Sequence, residues 1–457
     1  MSASYLDEAR LARSIAAIAT APVPGAIGIV RVSGADAIEI AARVFSRPGA
    51  LKKAASMSLV LGRVTSAPDS PIDQVLAAVM RAPHTYTGED TVEFQAHGGR
   101  VQVEGVLRAV VDAGALPALP GEFTLRAFLN GRMDLVQAES VADLIAATTQ
   151  AASRNALGAY AGRLHERLLE LSDRLVRLRA RLEASIDFVD DDIPQLEHGV
   201  IVSEIDAISG IVTGLIESYR VGRMLREGAR VVICGPPNSG KSSLFNSILR
   251  VNRSIVADVP GTTRDAVTEL VDIGGLPVIL TDTAGLRDSS DHIESEGVRR
   301  ARELIKSADL VISVVDLAGS KTEDPSLPEF RIVVLNKADL IGREAIDGMA
   351  RDLGGAVAVS ARTGDGIEEL CHQLARRLGS SWLQGNEAAV TRQRQHEALV
   401  ACRTSLVDAR QCIEIDEPLE IAAIELREAS AAIDELVGRV YDEDILNRIF
   451  SEFCIGK

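Results

Sequence analysis

Residues 235–242 read Gly-Pro-Pro-Asn-Ser-Gly-Lys-Ser and follow an apolar run that ends at Cys234. A glycine, four residues and then Gly-Lys-Ser is the spacing of a phosphate-binding loop, in which backbone N–H groups at the start of a helix surround phosphate oxygens. In such a loop Lys241 reaches the β and γ phosphates, and Ser242 reaches a magnesium ion. The strand-like residues before the loop and the helix-forming residues after it favour this interpretation over a chance match.

Four further motifs follow the loop in chain order. Residues 261–265 offer Thr263 as a second hydroxyl ligand for magnesium, and Asp282 ends a strand-like run, where it can hold the metal's water shell. Asp339 closes the sequence Asn-Lys-Ala-Asp, and its carboxylate can accept from both the ring N–H and the amino group of guanine. Adenine would leave that carboxylate unpaired, which is costly. Residues 360–362 are predicted to close over the base, so the motifs together predict a guanine-nucleotide site.

The motif residues assigned to this nucleotide site lie in the five segments in turn. They are Asn238, Ser239, Gly240, Lys241, Ser242, Ser243, Gly261, Thr262, Thr263, Asp282, Thr283, Ala284, Gly285, Asn336, Lys337, Asp339, Ser360, Ala361 and Arg362. Magnesium is assigned to Ser242 and Thr263.

The hydrolytic machinery differs from that of Ras-type switches. The position of their water-orienting glutamine is Leu286, which cannot hydrogen-bond water, so catalysis must be organised differently. Asn238 could bind a monovalent cation beside the phosphates, or it could be an ordinary turn residue. Four carboxylates are candidates for positioning the water, and spacing alone does not choose among them: Asp288, Asp291, Glu294 and Glu296.

Composition limits the class of protein. A length of 457 residues suggests about three domains, and 46% apolar with 25% charged residues is typical of globular proteins. The net charge of −16 argues against a protein that coats nucleic acid along its whole surface. The five cysteines are scattered without a Cys-x-x-Cys pair, which fits a reducing cytosol and favours neither disulfides nor zinc. Asp7 and Glu8 argue against a signal peptide, and no run of about 18 apolar residues is evident.

Outside the nucleotide domain, the chain predicts one α+β segment and two helical segments. Residues up to about 130 alternate strand and helix patterns, with strands at 26–32, 59–64, 74–80 and 91–96 and helices at 36–45 and 101–113. Residues 133–227 and 387–457 are helical by pattern. One apolar stripe recurs at spacings of three and four: Leu164, Leu168, Leu171, Leu175, Leu178 and Leu182. Arginines on that helix are interspersed with acids, which favours a salt-bridged face over an RNA surface.

Seven stretches together resemble one known family. They are GPPNSGKS at 235–242, PGTTRD at 260–265, DTAGLR at 282–287, NKAD at 336–339, TGEDTVEFQAHGG at 87–99, PGEFTLRAFLN at 120–130 and FCIGK at 453–457. On these the chain resembles, over its full length, the tRNA uridine-modification GTPases called MnmE or TrmE. The CIGK ending is the most specific stretch, because ribosome-assembly GTPases share the asparagine-containing loop but not this ending.

The resemblance implies a multidomain fold. It consists of an α+β folate-binding and dimerisation domain (1–131), an all-α helical-bundle domain in two parts (132–227 and 381–457) and an inserted α/β P-loop GTPase domain of the Ras-like class (228–380). The expected protein is a cytoplasmic homodimer that makes no membrane contact.

The implied activity is GTP hydrolysis that is activated by potassium and uses magnesium. With an FAD-dependent MnmG-type partner, in a heterotetramer, such a protein adds an aminomethyl or carboxymethylaminomethyl group to carbon 5 of the wobble uridine of certain tRNAs. The one-carbon unit comes from methylene-tetrahydrofolate, and the folate ligand is the methylene or 5-formyl form. A ribosome-assembly GTPase that binds RNA is the alternative, and neither a KH-type Gly-x-x-Gly loop nor a basic tail is evident.

The resemblance also assigns residues. Arg31, Glu93, Arg132 and Lys457 match folate contacts, although Arg132 replaces a lysine of some members. Residues 257–262 match the loop that completes potassium coordination, which adds Ala257, Asp258, Val259 and Pro260 to the nucleotide site. The potassium set is Asn238, Ala257, Val259 and Thr262. The catalytic set is Glu294, Lys241, Arg287 and Cys454.

Two of these assignments have structural alternatives. Arg31 and Glu93 could be charged residues on a solvated strand face. Cys454 could be a buried, inert thiol beside Phe450 and Phe453.

Overall fold

The structure is a computed structural model that describes residues 6–67, 70–187, 197–252, 267–283, 294–317, 327–353, 355–385 and 388–457. The chain divides into two compact units. The first unit is Met1–Ala142 with Asp434–Lys457, and the second unit is Asp143–Ile433. The segment 381–457, expected to be one part of the helical domain, is thus divided between the two units.

The elements of the described residues run as follows. The helices are α1 (Glu8–Leu11), α2 (Ala37–Val44), α3 (Pro48–Lys53), α4 (Arg100–Asp112), α5 (Glu122–Leu129), α6 (Leu135–Ala146), α7 (Gln150–Tyr160), α8 (Arg163–Asp187), α9 (His198–Glu227), α10 (Lys241–Asn252), α11 (Glu294–Ser307), α12 (Arg343–Asp352), α13 (Ile367–Leu378), α14 (Gln393–Glu414), α15 (Leu419–Val437) and α16 (Glu443–Ser451). The strands are β1 (Ile15–Ile18), β2 (Ile27–Ser33), β3 (Ser58–Ala67), β4 (Ser70–Met80), β5 (Thr91–His97), β6 (Leu116–Pro117), β7 (Ala229–Cys234), β8 (Val267–Ile273), β9 (Leu276–Asp282), β10 (Leu310–Asp316), β11 (Arg331–Asn336) and β12 (Val357–Ala358). Two 3₁₀ turns cover Ala338–Leu340 and Ser380–Gln384.

The first unit is built on one sheet, whose described strands are ordered β3-β4-β5-β2-β1-β6. Neighbours are antiparallel except β1 and β6. Alternate residues such as Val30, Val92 and Phe94 are fully buried under α2 and α4. The predicted strands β2 to β5 and helices α2 and α4 are confirmed, whereas β1 and α5 carry no pattern strong enough to predict them.

The opposite face of this sheet has two parts. Arg31 on β2 and Glu93 on β5 are direct cross-strand partners there, in a part of the face that also meets Phe123 of α5. The other part carries exposed apolar side chains: Ile27, Leu59, Leu61 and Leu76 are 38% to 60% exposed. A surface cavity of about 440 Å³ is lined in part by Ile27, Leu61 and Leu76.

The chain's last helix belongs to the first unit because of its apolar face. Leu446, Ile449 and Phe450 of α16 pack in one cluster with Leu125 of α5 and Leu135 of α6. This packing places α16 in the same compact unit as α5.

The second unit contains a sheet of described strands ordered β12-β11-β10-β7-β9-β8. All neighbours are parallel except β8 and β9, as the alternating pattern predicts. Because parallel strands end at the same edge, the loops after β7, β9 and β11 meet there. The core of the sheet extends to Val221 and Met224 of α9, and Trp382 packs against it.

The helices of the second unit confirm the predicted leucine stripe. All six stripe leucines of α8 are at most 2% exposed, and α8 packs on α9, which packs along α14. Arg174 and Arg179 pair with Glu204 and Glu183, in agreement with a salt-bridged face. Within the described residues, α9 is long and apolar enough to cross a membrane by length and composition. Its buried residues recur every three or four positions, as in a core helix: Ile201, Ile205, Ile208, Val212 and Leu215.

Candidate functional site

The phosphate loop lies between β7 and the first turn of α10. Ser242 Oγ donates to Asp282 Oδ2 over 2.7 Å, which joins the loop to the end of β9. Lys241 is buried, and its Nζ donates to Pro236 O over 2.9 Å. Hydroxyl and carboxylate oxygens are the ligands and water-shell partners that Mg²⁺ prefers, so the residues present fit this ion.

Asn336 fixes the loop from the neighbouring strand end. Its Nδ2 donates to Ser239 O over 2.8 Å, and its Oδ1 accepts from Ala361 N over 3.1 Å. Gly240 allows this approach, because a Cβ there would lie 2.2 Å from Asn336 Nδ2. Ser239 Oγ is buried without a hydrogen-bond partner among the described residues. One amide therefore holds the phosphate loop and the 360–362 segment in register.

The base-recognition motif is held at both ends. Ser360 Oγ donates to Asp339 Oδ1 over 2.7 Å, which orients the carboxylate. Lys337 takes a left-handed φ of 65° and pairs with Asp316 at the end of β10 over 2.6 Å. Asp339 itself is exposed. Its carboxylate is therefore oriented in advance at an open surface where a base could dock.

A second polar site lies on the first unit's sheet. Arg31 Nε donates to Glu93 Oε1 over 2.7 Å, and the two side chains are only 16% and 17% exposed. The Arg31 guanidinium also lies 5.7 Å from the ring centre of Tyr86 and 5.6 Å from that of Phe123, within cation–π range. The interpretation of Arg31 and Glu93 as a solvated strand face is therefore wrong.

Lys457 completes this site. Phe123 N donates to Lys457 O over 3.3 Å, and Arg31 Nη1 donates to Gly456 O over 3.5 Å. Burial first, and then the Arg31 guanidinium, lower the pKa of the Lys457 amine below its ordinary value. Glu93 acts in the opposite direction. Two cationic side chains and one carboxylate thus share a half-buried surface, which suits a ligand that has both an anionic and a hydrogen-bonding part.

A buried ion network supports the second site from below. Arg126, 2% exposed, donates to Glu89 and to Glu122 over 3.1 Å each. Arg10 closes the network on Glu122 over 2.6 Å. Charged groups removed from water in this way need all their partners. The network therefore fixes α5, and with it Phe123.

Comparison with known proteins covers nearly the whole chain. A family model described as the MnmE helical domain matches residues 135–454, and one described as the N-terminus of the GTP-binding protein TrmE matches residues 14–132. This chain belongs to the MnmE family. The predicted family, multidomain fold class and GTPase assignment are thereby confirmed.

Individual relatives agree with the MnmE assignment. The tRNA modification GTPase MnmE of Symbiobacterium thermophilum is 45% identical, over 97% of this chain and 99% of that protein. The proteins of the same name from Syntrophotalea carbinolica and Heliobacterium modesticaldum are 41% and 42% identical with the same coverage. Among solved structures, the G domain of the T. maritima FeoB iron transporter matches 33% of this chain and 98% of its own, with 27% identity and a TM-score of 0.24.

The described part of this MnmE-family chain brings many predicted nucleotide-site residues together and leaves some apart. Asn238, Ser243 and Arg362 are exposed, and among the described residues no hydrogen bond joins their side chains to the rest of the site. Asn238 has a left-handed φ of 62°. Several assigned residues lie outside the described residues: Ala257, Asp258, Val259, Pro260, Gly261, Thr262, Thr263, Ala284, Gly285 and Arg287. Glu294 begins α11, and its side chain also lies outside them.

The second site contains three of its four assigned residues in mutual contact or close charge range. Arg132 is exposed, and no described hydrogen bond joins its side chain to Arg31, Glu93 or Lys457. Cys454 is exposed, so its interpretation as a buried thiol is wrong. Sequence reasoning missed Tyr86 and Phe123, although both lie in or beside the stretches that carry the MnmE resemblance.

Proposed function

We propose that this chain is a potassium-activated GTP hydrolase that acts in the modification of the wobble uridine of certain tRNAs. The observation that carries the hydrolase part is the 2.7 Å contact of Ser242 Oγ with Asp282 Oδ2. It places two oxygen groups at the start of α10, next to Lys241. The orientation of Asp339 by Ser360 supports guanine as the base.

The roles of the site residues follow from their placement. Bound magnesium supplies charge neutralisation at the β and γ phosphates. Ser242 and Thr263 would hold the ion directly, and Asp282 would hold its water shell. Lys241 would exchange its bond to Pro236 O for phosphate oxygens. Asn238 would hold potassium with residues of the 257–262 loop, and Glu294 would orient the attacking water. Arg287 would belong to the catalytic set as part of the DTAGLR motif; these three roles rest on the family resemblance.

The first test is GTP turnover of the purified protein in potassium and in sodium at equal ionic strength. We expect strong stimulation by potassium only. Glu294→Ala should slow hydrolysis by about 10²-fold or more while GTP binding is kept, because only the orientation of water is lost. Equal rates in both salts would remove the cation from the mechanism, and unchanged turnover of the variant would remove Glu294.

The second site is proposed to bind the folate that donates the one-carbon unit, as 5-formyl- or methylene-tetrahydrofolate. An FAD-dependent MnmG-type partner would join this chain in a heterotetramer on tRNA in the cytoplasm, and Cys454 would take part in the modification. The paired Arg31 and Glu93 beside Lys457 support the folate assignment. Arg31→Ala should weaken 5-formyltetrahydrofolate binding by about tenfold or more, since a charge-assisted contact is lost. Arg108→Ala, which changes an exposed arginine of α4 away from this sheet face, is the matched control.

A homodimer through the first unit is also proposed. The exposed apolar side chains of Ile27, Leu59, Leu61 and Leu76 on one sheet face support it. Leu61→Asp would place a charge in that face and should give a monomer in analytical ultracentrifugation. A variant that sediments as a dimer would move the dimer contact elsewhere.

The four-segment domain division at residues 131, 227 and 380 is kept as a proposal. The family models that meet between residues 132 and 135 support its first boundary. Limited proteolysis with mass mapping should cut near these positions.

A further inference from the structure

Residues 453–457 are here called the docking segment. After Phe453, its hydrogen bonds to the rest of the first unit are accepted by its backbone oxygens. Gly121 N donates to Cys454 O over 3.5 Å, and Phe123 N donates to Lys457 O over 3.3 Å. Arg31 Nη1 donates to Gly456 O over 3.5 Å. Because the acceptors are backbone carbonyls, the path of the chain decides these contacts.

Gly456 lies where that path is tightest. Its φ is 100°, and a Cβ there would lie 2.3 Å from Ile18 O and 3.1 Å from the α-carbon of Ala19. These are backbone atoms of β1 and of the residue after it, so no side-chain rotation can relieve the overlap. Any other residue at 456 would push the docking segment off the sheet.

Gly121 plays the same part on the other side. It has a φ of 67°, and a Cβ there would lie 2.6 Å from Phe450 O of α16. The next residues begin α5, whose Phe123 meets both Arg31 and the docking segment. Two glycines thus allow α16, the docking segment and α5 to come together.

We infer that Gly456 and Gly121 are positioning residues for the proposed folate site: they let the docking segment lie close enough to β1 and α5 for Lys457 to stand beside Arg31 and Glu93. The inference rests on the proposed folate function. The segment is anchored at its other end by Phe453, which is 6% exposed in the cluster around Leu125. Movement of the segment would therefore be concentrated at residues 454–457.

The test compares three glycine variants in the full-length protein. Gly456→Ala and Gly121→Ala combine backbone strain with a clash, whereas Gly355→Ala, with a φ of 93° and no atom within 4 Å of its Cβ, carries the strain alone. We expect the first two to bind 5-formyltetrahydrofolate about tenfold more weakly in calorimetric titrations, since the charge-assisted contact from Lys457 is lost. Gly355→Ala should bind like the unsubstituted protein. GTP turnover should be unchanged in Gly456→Ala and Gly121→Ala.

A second readout follows the docking segment itself. Alkylation of Cys454 by iodoacetamide, located by peptide mass spectrometry, should be faster in Gly456→Ala than in the unsubstituted protein. Added folate should slow it only in the unsubstituted protein. Equal folate affinity in Gly456→Ala and the unsubstituted protein would overturn the inference and leave the folate site standing. If the unsubstituted protein binds no folate, the folate proposal fails, and equal Cys454 rates would then overturn the positioning role as well.

Discussion

The two candidate sites are built in opposite ways. In the second unit, the groups lie at or soon after the ends of strands of one mostly parallel sheet. Ser242 and Asp282, which are in contact there, are 40 positions apart. In the first unit, the groups lie on a sheet face, and the Arg31 contact to Gly456 spans 425 positions. A site at strand ends needs short motifs, which a sequence displays. A site on a sheet face is assembled by long-range packing, so it can be recognised in a sequence only by resemblance to a known family.

The largest expected effect on stability tests how far the second site, formed by Arg31, Glu93 and Lys457, depends on the buried ion network beneath it. Arg126→Met would remove the buried cation that Glu89 and Glu122 share, leaving Glu122 paired with Arg10 and Glu89 hydrogen-bonded by Ser33. It should cost about 3–5 kcal/mol of stability. Scanning calorimetry of the full chain would measure the loss. Arg100→Met is the control, because Arg100 is 85% exposed. A loss of unfolding free energy no larger than that of the control would mean that the second site does not depend on this network.

A second variant tests whether the two sites act independently. Lys241→Ala should reduce GTP hydrolysis by about 10²- to 10³-fold, because a cation at the developing phosphate charge is removed. Folate binding should not change, since the bond from Lys241 Nζ to Pro236 O lies within the second unit. A parallel loss of folate affinity, measured on the same sample, would contradict independence.

A smaller effect is expected at the base. Asp339→Asn replaces an acceptor by an amide whose NH₂ can donate to a carbonyl at position 2 of a purine. The affinity for GTP should fall by roughly 10- to 100-fold, the usual value of a bidentate base contact. The affinity for xanthosine triphosphate, which has a carbonyl at that position, should rise. Ser360→Ala removes only the hydrogen bond that orients Asp339, so GTP binding should weaken by about tenfold or less. Titration with a fluorescent nucleotide would compare the GTP affinities of the unsubstituted protein, Asp339→Asn and Ser360→Ala. Equal affinities of the unsubstituted protein and Asp339→Asn would refute base recognition by Asp339.

Some of the features behind these predictions can be recognised in the sequence, and others cannot. The phosphate loop, Asp282 and Asp339 could be assigned because each motif is local. The pairing of Arg31 with Glu93 could not be derived from spacing, since strand order places β5 next to β2 only after the sheet has formed. The packing of α16 against α5 and α6 could not be derived for the same reason: the apolar pattern predicts a helix, and the partner of its apolar face depends on the folded structure.

The smallest expected effect concerns the reactivity of two thiols at pH 8. Burial raises the pKa of Cys402 on α14 to about 12, while Cys454 is exposed. The raised pKa favours the folded state below pH about 9, and this contribution is lost as pH rises from there toward 12. At pH 8, iodoacetamide should therefore modify Cys454 and spare Cys402. Modification of Cys402 at a comparable rate would mean that α14 opens readily in the native state.

Trp382 gives the second unit a built-in optical probe. It is the chain's single tryptophan, and it packs half-buried against the core shared by α9 and the nucleotide-binding sheet. A cavity of about 880 Å³ beside it is lined by Arg154 and Arg163, which would attract iodide. Emission wavelength and iodide quenching, recorded without any label, would thus report changes at this junction as GTP is bound and hydrolysed.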